Sequence, residues 1–332
     1  TGGTGGWHTC WIKTNDATLW CWGKNDAGQL GLGDSTDRLV PTKVSITDVV
    51  AVASGGLHTC AKKVDNTLWC WGSNDYGQLG TGYNTGNKLT PTKVNLDAID
   101  QISAGNSHTC ASKTDGTLWC WGWGSYGQLG LGTTGWASTP MQLYFANTKK
   151  ISAGNYHTCA SKTDGTLWCW GGNSNGELGI NSTSKALVPT QLYFNNTAEI
   201  SAGSMKTCAS KTDGTLWCWG QGGSLGLKDN QPRLVPTQLY FNNTAQISVG
   251  NYETCASKTD GTLWCWLGST GSQTPKQRYF ANSYQISAGG THVCASKTDN
   301  TLWCWGSNAY GQLGIGNTTD KSTPTQLYFN WR

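Results

Sequence analysis

The chain is short of charge. Asp, Glu, Lys and Arg make up 13% of its 332 residues, and the formal net charge is +4. A nucleic-acid binder concentrates basic residues in a stripe or patch. Here the lysines are scattered at regular intervals (Lys113, Lys162, Lys211, Lys258, Lys297). They read as a solvated ring, and no nucleic-acid partner is expected. No apolar run approaches the roughly 18 residues that span a bilayer, so membrane insertion is not expected. No signal peptide opens at Thr1; it has been removed, or the chain is trimmed from something longer. A sustained helical period is also missing. Methionine occurs only twice.

Glycine (45 residues) and tryptophan (19) are abundant, and there are 14 cysteines. Many turns and bulky strand residues point to an all-β protein. The string Thr-Leu-Trp-Cys-Trp occurs seven times, starting at Thr18, Thr67, Thr117, Thr166, Thr215, Thr262 and Thr301. A cysteine precedes each copy: Cys10, Cys60, Cys110, Cys159, Cys208, Cys255 and Cys294, at spacings of 50, 50, 49, 49, 47 and 39 residues. Units of roughly 40–50 residues, each with several short β-rich runs, are the size of propeller blades. They divide residues 1–332 with no block left for a second domain.

The third unit shows the motifs in full: Gly105-Asn-Ser-His108-Thr, Asp115-Gly116, Trp119-Cys-Trp121-Gly122, Gly127-Gln-Leu-Gly130 and the later Thr139-Pro140. These resemble the repeat of the regulator of chromosome condensation family. The resemblance covers the whole chain. It implies a seven-bladed β-propeller, in a family that includes a nuclear exchange factor and a secreted bacterial β-lactamase inhibitory protein. It specifies fold far more than function. Ring closure then requires the termini to meet at a seam between the last and first units, with Trp7 and Trp331 fastening it.

The cysteines fall into seven pairs: Cys10 with Cys21, Cys60 with Cys70, Cys110 with Cys120, Cys159 with Cys169, Cys208 with Cys218, Cys255 with Cys265 and Cys294 with Cys304. A hairpin with the three-residue loop Thr114-Asp115-Gly116 sets Lys113 opposite Thr117 and Cys110 opposite Cys120. The third loop residue should be left-handed. Glycine holds it in units three to six (Gly116, Gly165, Gly214, Gly261), and asparagine in units two and seven (Asn66, Asn300). In unit one the extra residue falls inside the loop, which keeps Cys10 opposite Cys21. Opposed residues at a non-hydrogen-bonded site lie about 4.5 Å apart at Cα, within bridging range. One disulfide per blade follows, and with it an oxidising compartment, secreted or at the cell surface.

The rival is zinc: His108, Cys110 and Cys120 could offer three ligands. Against it, Lys206 and Glu253 replace the histidine in units five and six while the cysteines stay. No metal or other cofactor is therefore expected. All five histidines (His8, His58, His108, His157, His292) share this slot and read as buried, hydrogen-bonded core residues.

No nucleophile–base–orienter set and no phosphate-cradling loop stands out, so no catalytic residue is assigned and no enzyme is expected. The motif tryptophans read as core. Function should sit where the repeat is broken. Unit three carries extra aromatics, Trp123, Tyr126 and Trp136; these are the candidate binding residues. Unit six lacks Gly-Gln-Leu-Gly at Leu267–Gly271, and the seam carries Trp7, Trp11 and Trp331. Four sequons occur, at Asn181, Asn195, Asn242 and Asn317. The expectation is an extracellular, non-catalytic module that recognises a protein partner through rim loops. The alternatives are a self-assembling subunit of a surface layer or filament, and a lectin-like propeller that takes a glycan.

Overall fold

The computed structural model describes residues 2–13, 16–82, 86–267 and 273–328. It is a seven-bladed β-propeller, each blade a four-stranded antiparallel sheet whose strands follow chain order. In blade three these are Ile99–Ala104, His108–Lys113, Leu118–Gly122 and Ala137–Gln142. The first strands of blades two to seven, with Gly5 and Gly6 of blade one, line a central channel of about 240 Å³ rich in glycine and serine, among them Ser103, Gly105, Ser152 and Gly154. Small residues are required there because the seven inner strands converge. A Cβ on Gly105 would sit 2.3 Å from the Gly154 carbonyl oxygen of the next blade.

The central hairpin has the expected register. Cys110 faces Cys120, Ala111 faces Trp119, and Ser112 faces Leu118. The Lys113 amide donates to the Thr117 carbonyl at 2.9 Å. Gly116, Gly165, Gly214 and Gly261 are left-handed, as are Asn66 and Asn300. In blade one Ala17 takes this position at φ 53°, a conformation that costs an L-residue roughly 1–2 kcal/mol.

All seven expected disulfides are present, each inside its own blade. Cys10 is bonded to Cys21, Cys60 to Cys70 and Cys110 to Cys120. Cys159 is bonded to Cys169, Cys208 to Cys218, Cys255 to Cys265 and Cys294 to Cys304. No cysteine is free. The Cα separations are 4.1–4.2 Å. That is the close spacing of directly opposed residues at a non-hydrogen-bonded site. The partners Cys70, Cys169, Cys218 and Cys304 are fully buried, each in the apolar layer between its own blade and the next.

The two tryptophans of each motif behave differently. Trp121 and its six equivalents are fully buried between blades, while Trp119 and its equivalents are half-buried. Trp119 Nε1 donates to Thr117 Oγ1, whose hydroxyl donates to Asp115 at 2.6 Å. That bond, first among the causes, holds the Asp115 carboxyl below the usual range. The lysine ring is not freely solvated. Lys162 Nζ lies 4.8 Å from the Phe145 ring centre and 4.7 Å from that of Trp168, a cation–π arrangement repeated by Lys211, Lys258 and Lys297.

The ring closes between blades seven and one. Thr9 pairs with His292 at 2.7 Å, and the Gly290 amide donates to the Gly5 carbonyl at 3.0 Å. Trp11 is buried in the seam against Trp22, Leu302 and Leu313. Trp7 packs on Tyr310 of blade seven, with Lys24 Nζ 4.9 Å from its ring. Trp331 lies outside the described residues.

Candidate interaction faces

Antiparallel strand order divides the loops between two faces of the disc. One face carries the turns between first and second strands and the loops between third and fourth; it is called the loop face. The other carries the disulfide hairpins and the connections between blades, the hairpin face.

On the loop face the Gly-Gln-Leu-Gly segment couples neighbouring blades. The Gln128 side chain accepts from the backbone of its own loop, at the amide of Tyr126 (3.0 Å). Its backbone carbonyl accepts from two groups of the next blade, Trp170 Nε1 and Thr158 Oγ1, both at 2.9 Å. The same Thr158 hydroxyl accepts from His108 Nε2 at 2.9 Å. Because the threonine proton is committed to a carbonyl, the histidine must carry its proton on Nε2. Five such His–Thr bonds run round the ring. Burial pushes His8, His108 and His292 down to about 3, and His58 and His157 to about 4. They are neutral structural groups sealed from solvent, so none is placed to move a proton on a substrate.

The ring of bonds breaks at blades five to seven. Lys206 and Glu253 replace histidine, and Val293 replaces the threonine that would have paired with blade six. Lys206 is 2% exposed, its ammonium nitrogen has no hydrogen-bond partner among the described residues, and burial pushes it down to about 7 against the opposing pull of Glu253. Glu253 accepts from Arg278 and, at 3.1 Å, from Trp305 Nε1. In five interfaces that indole donates to the carbonyl of the Gly-Gln-Leu-Gly glutamine or its Glu177 replacement, and Trp266 uses the Ser224 carbonyl. Blade six lacks that loop, and a carboxylate stands in for the missing carbonyl. The broken loop itself falls mostly in residues 268–272, outside the described residues. Glu253, Cys255 and Cys265 have ligand atoms within 4.8 Å of one another, but both cysteines are spent in a disulfide.

The structure brings two of the three predicted binding residues together. Trp123 lies edge-on to Tyr126 at 5.4 Å between ring centres. Tyr76 and Tyr156 join them, 5.5 and 5.7 Å from Trp123. The result is a four-ring surface across blades two, three and four. Tyr76 and Tyr156 were missed because each looks like an ordinary loop residue in its own repeat; only the ring geometry sets them beside Trp123. Trp136 is 55% exposed and has no ring partner among the described residues.

The loop that presents Trp123 is rebuilt. In blades one, four and seven a buried asparagine (Asn25, Asn173, Asn308) ties the third-to-fourth-strand loop. Asn173, for example, donates to the Ser182 and Ser184 carbonyls and accepts from the Leu178 amide. Blade three has Gly124 there, and the Gly135 backbone moves in so closely that a Cβ on Gly124 would lie 1.9 Å from its oxygen. Trp123 and Trp136 flank this glycine contact.

The comparisons agree with this architecture. The regulator of chromosome condensation (RCC1) repeat matches residues 16–61, 65–112, 115–161, 164–210, 213–257 and 299–330, and a second form of it matches 49–78, 99–128, 149–177 and 284–312. Prp20p from Saccharomyces cerevisiae has a similar structure, with a TM-score of 0.87 and 20% identity over 97% of this chain and 88% of its own. Human WBSCR16 gives 0.85 and 21% over 94% and 95%. The ultraviolet-B receptor UVR8 of Arabidopsis thaliana is 42% identical, but over 55 residues, 16% of this chain and 12% of the receptor. Matched by the repeat along most of its length, the chain belongs to the regulator of chromosome condensation repeat family.

Proposed function

We propose that this propeller is an extracellular, non-catalytic interaction module that holds a protein partner on its loop face. The observation that carries the reading is the four-ring surface of Tyr76, Trp123, Tyr126 and Tyr156. Interface cores are enriched in tyrosine and tryptophan, which bury much area at small entropic cost. The loop beneath it has Gly124 where blades one, four and seven have a buried asparagine. Trp136 forms the rim of the same site. Seven disulfides favour an oxidising compartment. In solved structures yeast RCC1 (Prp20) is bound to Kap60, and the same protein has been characterised for its binding to Gsp1p and histones, which supports a protein-binding use of the fold. The four sequon asparagines are all exposed, so glycans on Asn181, Asn195, Asn242 and Asn317 are compatible with the fold.

The test is cross-linking with peptide mapping on the native cell-surface or secreted fraction, with wild type and a Trp123→Ala/Tyr126→Ala variant. A partner cross-linked near residues 76, 126 and 156, and lost from the variant, supports the reading. A partner captured equally by both sinks it.

A further inference from the structure

Five tyrosines stand clear of the fold on the hairpin face, one per blade. Tyr144, Tyr193, Tyr240 and Tyr279 are at least as exposed as in an unfolded chain (107–109%), and Tyr328 is 82% exposed. Each lies in the connection from one blade to the next. At three stations both neighbours are buried: Leu143 and Phe145 beside Tyr144, Leu192 and Phe194 beside Tyr193, Leu239 and Phe241 beside Tyr240; beside Tyr279, Phe280 is buried and Arg278 half-buried, and beside Tyr328, Leu327 is buried. The turn does not need the tyrosine. Blades one and two make the same three-residue turn (Ile46 amide to Val44 carbonyl, 2.8 Å; Leu96 to Val94, 2.9 Å) as Tyr240 and Tyr279 do, with Ser45 and Asn95 at its apex. Packing therefore explains the buried flanks and leaves the exposed ring unexplained.

The stations share one chemistry. A glutamine sits two residues before each ring: Gln142, Gln191, Gln238, Gln277 and Gln326. Beside Tyr144 a groove of about 310 Å³ is lined by Gln142, Lys162, Trp168 and Pro189. The matching groove beside Tyr328, between blades seven and one, holds about 340 Å³ and is lined by Val40, Ile315 and Gln326. In blades three to seven each hairpin carries one lysine and one aspartate, whose charges offset one another, and the lysine is already drawn over an aromatic ring. An exposed ring with an apolar face and a polar tip, next to a neutral amide, suits a sugar ring: one face to stack on, hydroxyls to bond. Five recurring stations suit a ligand that repeats.

We propose that Tyr144, Tyr193, Tyr240, Tyr279 and Tyr328 form a multi-station platform for a neutral polysaccharide. This goes beyond the protein-binding reading and uses the opposite face, so the two stand or fall separately. Single stations bind weakly, and linkage supplies the affinity, which multivalency raises by about 10²–10⁴ over one site.

The test is a depletion isotherm on a panel of microcrystalline cellulose, chitin, mannan and β-1,3-glucan, with full-length protein. At least one should retain the wild type, with little loss in 0.5 M salt. One Tyr→Ser change should weaken binding several-fold. The five-fold Tyr→Ser variant should lose at least 100-fold while its near-ultraviolet circular dichroism stays native, since blades one and two already tolerate Ser45 and Asn95. The five-fold Tyr→Phe variant should keep most of the binding. The proposal is overturned if no member of the panel retains the wild type or if salt abolishes retention. It is also overturned if the five-fold serine variant binds like wild type, or if that variant loses self-association in light scattering and nothing else.

Discussion

Glu253 offers the sharpest test of how the ring is held where its repeat fails. It is 11% exposed at the side chain, accepts from Arg278, and receives the Trp305 indole in place of a backbone carbonyl. Glu253→Ala strands a buried indole donor, costing about 1–3 kcal/mol. It also leaves the Arg278 charge without its partner; at 25% exposure water screens part of that loss, which falls below the roughly 3–5 kcal/mol of a fully buried pair. The two overlap, so a local loss of about 3 kcal/mol is expected at the interface of blades six and seven. Glu253→Gln retains an acceptor for the indole and loses only the charge, so it should cost less. Global melting is a poor probe, since repeat arrays lose two-state behaviour. Hydrogen exchange of the indole protons reads the interface directly. In Glu253→Ala the Trp305 indole should exchange at least 100-fold faster, while Trp121, whose acceptor is the Gln78 carbonyl across the ring, keeps its rate. In Glu253→Gln the Trp305 rate should fall between wild type and Glu253→Ala. Equal acceleration at Trp305 and Trp121, or none at Trp305 in the alanine variant, refutes the substitution of carboxylate for carbonyl.

The histidine ring should make the protein acid-sensitive. Each histidine titrates near 6.5 when unfolded and near 3–4 when folded, so the unfolded chain binds more protons between those values. Stability is then fully present above pH 6.5 and falls with acid, by about 1.4 kcal/mol per pH unit for each histidine near pH 5; hydrogen exchange of the buried strand amides at pH 7 and pH 5, corrected for intrinsic rates, checks this, and His108→Gln should flatten the slope. Lys206 acts from the other side. Its folded value near 7 lies below the unfolded 10.5, so burying it costs most below pH 7, and the cost fades as pH rises toward 10. Lys206→Met should therefore raise stability at pH 6 by a few kcal/mol and by little at pH 10. Replacing Cys110 and Cys120 by alanine should cost at most about 3 kcal/mol by chain entropy, seen as faster exchange in that hairpin alone. Gly124→Ala should displace Trp123 and reduce partner binding while the seven disulfides still form, as intact-mass measurement would show.

The fold was legible because every level of the sequence agreed. The Trp-Cys-Trp motif fixed blade number, the left-handed Gly116 and Asn66 fixed the hairpin loop, and cysteine spacing fixed the register. What escaped was chemistry made between repeats. That Trp121 is buried while Trp119 is half-covered depends on the neighbouring blade, which alternation within one strand does not reveal. Glu253 looked like a lost histidine; its partners, Trp305 and Arg278, lie 52 and 25 residues away.

The rule that function lies where the repeat is broken points to Trp123 and Tyr126, which the fold sets side by side. It also hid the tyrosine arc, because a residue present in five blades was credited to packing. Burial separates the two cases. Leu143 and Phe145 recur and are buried, so the fold accounts for them. Tyr144 recurs and stands fully exposed, while Ser45 and Asn95 show the turn closing without it. Exposed Asp115 recurs too, but its bond to Thr117 accounts for it; recurrence with neither burial nor a fold contact is what sets the tyrosines apart, and in a propeller it has the spacing of the blades.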